Sequence, residues 1–129
     1  MRAFELFETT DFDTWFAGSA MQDRGEPIMF YHGTNSKFDN FNDKFSGGIG
    51  FHFTKDPAAT KTFGKNVIRA YLNIKNPAGL EEWKMALDKA SGGNPRAMAI
   101  GFLKKMGYDG VSTGYETIAF DAGQIWVVR

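Results

Sequence analysis

The chain of 129 residues has no cysteine, only two histidines and no net charge, its 15 basic residues balancing 15 acidic ones. The missing cysteine excludes a disulfide scaffold, a thiolate nucleophile and a cysteine-bound zinc, and leaves the redox compartment open. With two histidines, a metal site would need distant carboxylates to complete it, so no metal is expected. The absent basic excess removes the general electrostatic footprint of a nucleic-acid binder. No apolar run approaches the ~20 residues a membrane span needs. The opening MRAFELFETTDFD has an acidic flank and no cleavage site of small residues, so no signal peptide is expected. Loops of the forms GxGxxG and GxxxxGK[ST] are missing, as is an HExxH helix.

What is present is apolar and aromatic. Hydrophobic residues make up 43%, with 13 Phe, 3 Trp and 4 Tyr, enough for a core without a staple. A chain of this length forms one domain and buries roughly two-thirds of its unfolded surface. Within one compact unit, residues 1–27 read as an N-terminal helix and connector, and 28–129 as the main domain. The charge is uneven: Lys55, Lys61, Lys65 and Arg69 face only Asp56 over 55–69. That surplus suits either a phosphorylated ligand or a solvated face of long cationic side chains.

Asp11 or Asp13 caps a short helix carrying Phe12, Trp15 and Phe16 on one side, and Gly18-Ser19 ends it. IMFYHGT (28–34) and GFHFT (50–54) read as strands, and the polar loop between them holds Phe38, Phe41 and Phe45. Asp56-Pro57 starts a helix that Gly64 stops. VIRAYLNI (67–74) is rich in strand formers and KNPAG closes it. Helices follow over 81–90 and 95–106, with Pro95 at the start of the second and Gly107 past its end. YETIAF (115–120) and QIWVV (124–128) read as strands joined by a tight DAG turn. This order lacks βαβ regularity, which predicts an α+β fold with a split, mostly antiparallel sheet.

Three stretches hold the candidate chemistry. His32 lies in an apolar strand, where a histidine ordinarily hydrogen-bonds backbone, but Gly33 beside it lets a flat ligand approach the main chain. A free N–H and C=O there suit an amide group, and Thr34 adds a hydroxyl. His52 alternates with Phe51 and Phe53, so its ring faces away from theirs. Glu116 shares a strand face with Ile118 and Phe120. An acidic residue there either ends the strand in water or has a partner.

These stretches together resemble the ADP-ribosyltransferase superfamily, in the histidine-containing branch related to poly-ADP-ribose polymerases. That branch carries an HG[ST] strand, a G-x-[YH]-F-[TA] strand and an E-x-x-x-[FY]-D-x-x-Q-[IV] segment. The chain has His32-Gly33-Thr34, then GFHFT at 50–54, then ETIAFDAGQI at 116–125, in the same order. FDTWFAGS (12–19), DRGEP (23–27) and YLNIKNP (71–77) resemble more specifically the small transferase-like domains of phage and mobile-element polyvalent proteins. The resemblance spans 12–125.

It implies NAD as co-substrate. His32 would hydrogen-bond the adenosine-side ribose, Gly33 would grip the carboxamide through its backbone, and Thr34 would support the strand end. His52 falls where relatives often have a tyrosine stacked on nicotinamide; a neutral imidazole suits a cationic ring there. Thr60 would help hold the carboxamide, and Phe63 would close the other face of the ring. Tyr31 and Phe51 complete the expected NAD-binding set. Glu116, with His32 and His52, forms the expected catalytic set.

The reaction implied is mono-ADP-ribosyl transfer to a macromolecule, most simply a protein, with nucleic acid as another acceptor. NAD glycohydrolysis and RNA 2′-phosphotransfer are the alternatives within the fold. A non-enzymatic phage or host interaction domain is the alternative outside it, with the Phe38, Phe41 and Phe45 loop as its surface. NDKFSGG (42–48) would face the acceptor. The setting implied is cytoplasmic, virion-associated or delivered, with a monomer and no membrane partner.

Overall fold

A computed structural model describes residues 11–35, 41, 48–90 and 92–128; Phe38, Phe45 and most of the NDKFSGG segment lie outside them. Residues 11–16 are helical (α1), and Gly18 follows in the left-handed region at φ 82°, as expected for a helix end. Among the described residues nine strands come next: β1 Gln22–Asp23, β2 Glu26–Pro27, β3 Phe30–Thr34, β4 Phe51–Phe53, β5 Asn66–Leu72, β6 Pro77–Ala78, β7 Gly110–Ser112, β8 Thr117–Ala119 and β9 Ile125–Val128. Helices α2 Leu80–Lys89 and α3 Pro95–Lys105 separate β6 from β7.

The chain builds the α+β split sheet that the sequence predicts. One half has strand order β3-β5-β9, the other β4-β8-β7-β6, and every pairing but β6 with β7 is antiparallel. β1 and β2 form a small separate hairpin through Arg24 and Gly25, both at positive φ. Among the described residues the two halves meet at a β-bridge, where Tyr31 and Thr54 exchange backbone hydrogen bonds of 2.8 and 2.9 Å.

Side-chain alternation explains the layers. Phe51 and Phe53 point toward the first half-sheet and pack with Phe30, Ala70, Leu72 and Ala119. Ile118 and Val111 point the other way, into a second core with Trp83 and Ala86 of α2 and Ala99, Ile100 and Leu103 of α3. α1 covers the outer face of the first half-sheet: Phe12 meets Tyr71 and Trp126, each at 5.2 Å between ring centres, and the Trp15 indole N–H donates to the Gly123 carbonyl at 2.9 Å. Phe41 packs on His32, Phe51 and Phe53, pinning its part of the long loop to the core.

Three expectations need correcting. DAG does not close a hairpin, because β8 and β9 belong to different half-sheets; residues 122–124 form a 3-10 turn that carries the chain from one to the other. The segment closing β5 contains a further strand, β6, paired parallel with β7, and neither was expected. The helix after Asp56 is a 3-10 helix, Pro57–Thr62. The Asp56 carboxylate caps it at Ala58 N–H, and the Thr60 and Thr62 hydroxyls donate to carbonyls three residues back, at 2.6 and 3.3 Å. Among the described residues no helix is long and apolar enough to cross a membrane.

Candidate active site

A pocket of about 350 Å³ opens where the half-sheets part. The end of β3 supplies Tyr31, His32 and Gly33. β4 and its flanks supply His52, Phe53, Thr54 and Ile49. The 3-10 helix and its end supply Ala59, Thr60 and Phe63. Arg96 enters from the first turn of α3, and Tyr115 and Glu116 from the turn before β8. Thr34 and Phe51, expected as ligand contacts, do not line it. Phe51 is buried, and its alternation with His52 sends it into the core instead. Lys55, Lys61, Lys65 and Arg69 are exposed and also stand outside the lining.

β3 reaches the pocket with an open edge. Tyr31 spends its N–H and C=O on Thr54, so by strand alternation those of Gly33 point to the same edge, one step past the bridge. The glycine has a second reason. A Cβ at Gly33 would collide with the Thr60 carbonyl oxygen and lie 2.9 Å from Thr60 Cβ and 3.2 Å from Phe63 Cβ. The missing side chain therefore lets the 3-10 helix lie against β3, which seats Thr60 and Phe63 in the wall. The Thr60 hydroxyl gives its proton to the Pro57 carbonyl, leaving its oxygen to accept. Phe63 is 70% exposed and Tyr115 84%, so two aromatic rings stand in solvent at the mouth.

His32 is fixed through Nδ1, which donates to the His52 carbonyl at 2.7 Å. Burial lowers its pKa below the ordinary histidine value of 6.5, against a smaller upward pull from that hydrogen bond. A neutral ring with its proton on Nδ1 presents Nε2 as an acceptor.

Glu116 is held at both oxygens. His52 Nδ1 lies 3.0 Å from Oε2, and the Arg96 guanidinium donates to Oε1 at 3.1 Å. The His52 hydrogen bond does most to lower the Glu116 pKa from 4.5; burial opposes it, and the charges of His52 and Arg96 and a contribution from Trp83 add to the lowering. The carboxylate thus sits at a strand end and has partners, both outcomes that the sequence left open. His52 Nε2 is buried and has no hydrogen-bond partner among the described residues. The Thr113 hydroxyl accepts from the N–H groups of Tyr115 and Glu116 at 3.2 and 3.1 Å and shapes the turn that presents the glutamate.

Sequence reasoning missed Arg96 and Tyr115. Arg96 belongs to a good helix start, with Pro95 first and the Asn94 side chain accepting from Ala97 N–H at 3.1 Å. Nothing local says that this turn ends at Glu116. Tyr115 adjoins the glutamate, and its exposure was the signal that only the fold could give.

No curated protein matches the sequence. Among solved structures, one described as "Crystal structure of an anti-CRISPR protein" is similar in fold, with a TM-score of 0.53 and 14% identity over 81% of this chain and 97% of that one. The order of the three stretches, the split sheet and the shared pocket agree with the match of residues 22–128 to the family described as ADP-ribosyltransferase in polyvalent proteins, and the chain belongs to that family.

Proposed function

We propose that the protein transfers ADP-ribose from NAD to a macromolecular acceptor and releases nicotinamide. The observation that carries this reading is the convergence of His32, Gly33, His52 and Glu116, from three separate segments, on one pocket. The residues present fit the dinucleotide. The open edge at Gly33 offers the donor and acceptor that a carboxamide needs, and His52 Nε2 is a buried polar atom that a ligand group would satisfy. His52 and Phe63 supply ring faces for a flat heterocycle.

NAD supplies a good leaving group: the ribose C1′–nitrogen bond breaks, its electron pair goes to the nicotinamide ring, and positive charge develops on the ribose. Glu116, whose pKa its His52 hydrogen bond and neighbouring charges lower, favours the carboxylate form and stabilises that charge electrostatically. It also accepts a hydrogen bond from the ribose or from the incoming nucleophile, and as the new C1′ bond forms the nucleophile's proton passes to the carboxylate and from there to solvent. His52 holds the carboxylate in place. His32, neutral, accepts a ribose hydroxyl hydrogen bond through Nε2. Gly33 orients the carboxamide, holding the leaving group in place for cleavage.

The experiment is incubation of the protein with NAD, with and without cell lysate, following nicotinamide release and acceptor mass. Transfer gives an acceptor heavier by one ADP-ribosyl group, lost in Glu116→Gln. Nicotinamide without an acceptor means that water takes the ribosyl group. No release and no NAD binding would overturn the proposal in favour of an interaction domain.

A further inference from the structure

Arg96 occupies a place that a solvated helix residue does not need. It sits in the first turn of α3, 20 residues before Glu116, and its guanidinium reaches the Glu116 carboxylate at 3.1 Å. The same guanidinium lies 5.8 Å from the ring centre of Trp83, over its face. Trp83 is buried in α2, in the core that α2 and α3 share with Ile118. An arginine braced on a fixed aromatic plane loses much of its freedom before it meets its partner. The neighbouring cap adds rigidity, since Pro95 and the Asn94 side chain define the start of α3.

The Glu116 backbone is held by Thr113, whose N–H and hydroxyl donate to its carbonyl and whose hydroxyl oxygen accepts from its N–H, but that leaves the side chain to be oriented by other groups. Glu116 precedes β8, outside the ladder, with its side chain about one-third exposed. Its carboxylate direction is set chiefly by two charged or polar contacts from different elements, His52 from β4 and Arg96 from α3, with a weaker hydrogen bond from the Trp83 side chain of α2. One of them leaves a rotation about the other. Both together restrict that rotation in a carboxylate that lines the pocket.

From this geometry we infer that Arg96 is a positioning residue for the reaction: braced on Trp83, it orients the Glu116 carboxylate toward the reacting ribose. This rests on the ADP-ribosyl transfer reading and deepens it. Arg96 holds the acid in place rather than touching the leaving group, so its loss should appear in kcat more than in KM. Its charge also helps keep Glu116 ionised, so its loss should move the carboxyl titration upward.

The test compares the intact chain with Arg96→Ala and Arg96→Lys, in two measurements. One is the titration midpoint of the Glu116 carboxyl by carbon NMR in the free protein. The other is nicotinamide release from NAD across pH. In Arg96→Ala the midpoint rises, and kcat falls about 10- to 100-fold while KM changes less than about threefold. In Arg96→Lys the midpoint returns toward the parent value, and kcat recovers only in part, because an ammonium restores charge without the planar fork. An unchanged midpoint with unchanged kcat in Arg96→Ala overturns the inference. So does a loss confined to KM, which would make Arg96 a ligand contact. Should the parent protein release no nicotinamide, the transferase reading itself falls and Arg96 has no catalytic part, whatever the midpoint does.

Discussion

His52 Nδ1 and Glu116 Oε2 lie 3.0 Å apart and join segments 64 residues apart in the chain. Their strands pair antiparallel with His52 opposite Ile118, so Glu116 is the diagonal neighbour two residues back, within reach of a long side chain. His52 is thereby committed twice: its ring orients the carboxylate, and its backbone carbonyl accepts from His32 Nδ1 at 2.7 Å. Both histidines and the glutamate form one connected network across the split between the half-sheets.

Replacing Glu116 by Gln keeps the shape and removes the charge. Nicotinamide release should fall by about 10²- to 10⁴-fold, as for loss of a group acting on the transition state. Binding of a non-cleavable NAD analogue, measured by calorimetry, should change far less. A variant as active as the parent would remove Glu116 from the mechanism.

His32 and Glu116 both make the fold less stable in acid, at different pH. The His32 pKa is depressed by burial, so the folded state resists the proton that the unfolded chain takes up. Its stabilisation is complete above the unfolded value of 6.5 and is lost as pH falls from there toward the folded value. Glu116, also depressed, contributes above 4.5 and loses its contribution as pH falls through its lower folded value. His32→Asn places an amide N–H near Nδ1 without a titrating ring. As pH falls below 6.5 its Tm should drop less steeply than that of the parent.

Much of this was legible in the chain, for local reasons. Asn94-Pro95 and Asp56-Pro57 each join a capping side chain to a proline in the first turn, a local helix-start signal, and the Phe51-His52-Phe53 alternation fixes which ring leaves the core. That alternation already argued against Phe51 as a ligand contact. β6 and β7 were not legible because two- and three-residue strands have no period to read; they exist only by pairing with each other and with β8. DAG looks like a hairpin turn, and only the tertiary partition of β8 and β9 shows it to be a crossing. Arg96 is silent in sequence because its partner is set by the packing of α2 and α3, not by spacing.

Gly33 separates two reasons for a glycine, and Gly33→Ala tests the packing one. The added methyl has no room against the Thr60 carbonyl and Cβ, which are backbone and branched side chain rather than a flexible tip. The 3-10 helix must shift, at a cost of about 1–3 kcal/mol. A lower Tm with weaker NAD binding is the expected pair of results; an unchanged Tm would show that the helix is free to move.

Phe63 tests whether the exposed aromatic at the mouth serves binding. It is 70% exposed, so truncation removes little core contact, and Phe63→Ala should alter stability by no more than about 0.5 kcal/mol. A ring that stacks on the nicotinamide contributes about 0.5–1.5 kcal/mol beyond area burial, which corresponds to a rise in KM of roughly 2- to 12-fold. Phe63→Tyr or Phe63→Trp should retain most of the affinity, because each keeps a ring face. A Tm shift as large as that of a core substitution would instead assign Phe63 to packing on Gly33. An unchanged KM in Phe63→Ala would remove Phe63 from stacking and leave that role to other rings lining the pocket, His52, Tyr31 and Tyr115 among them.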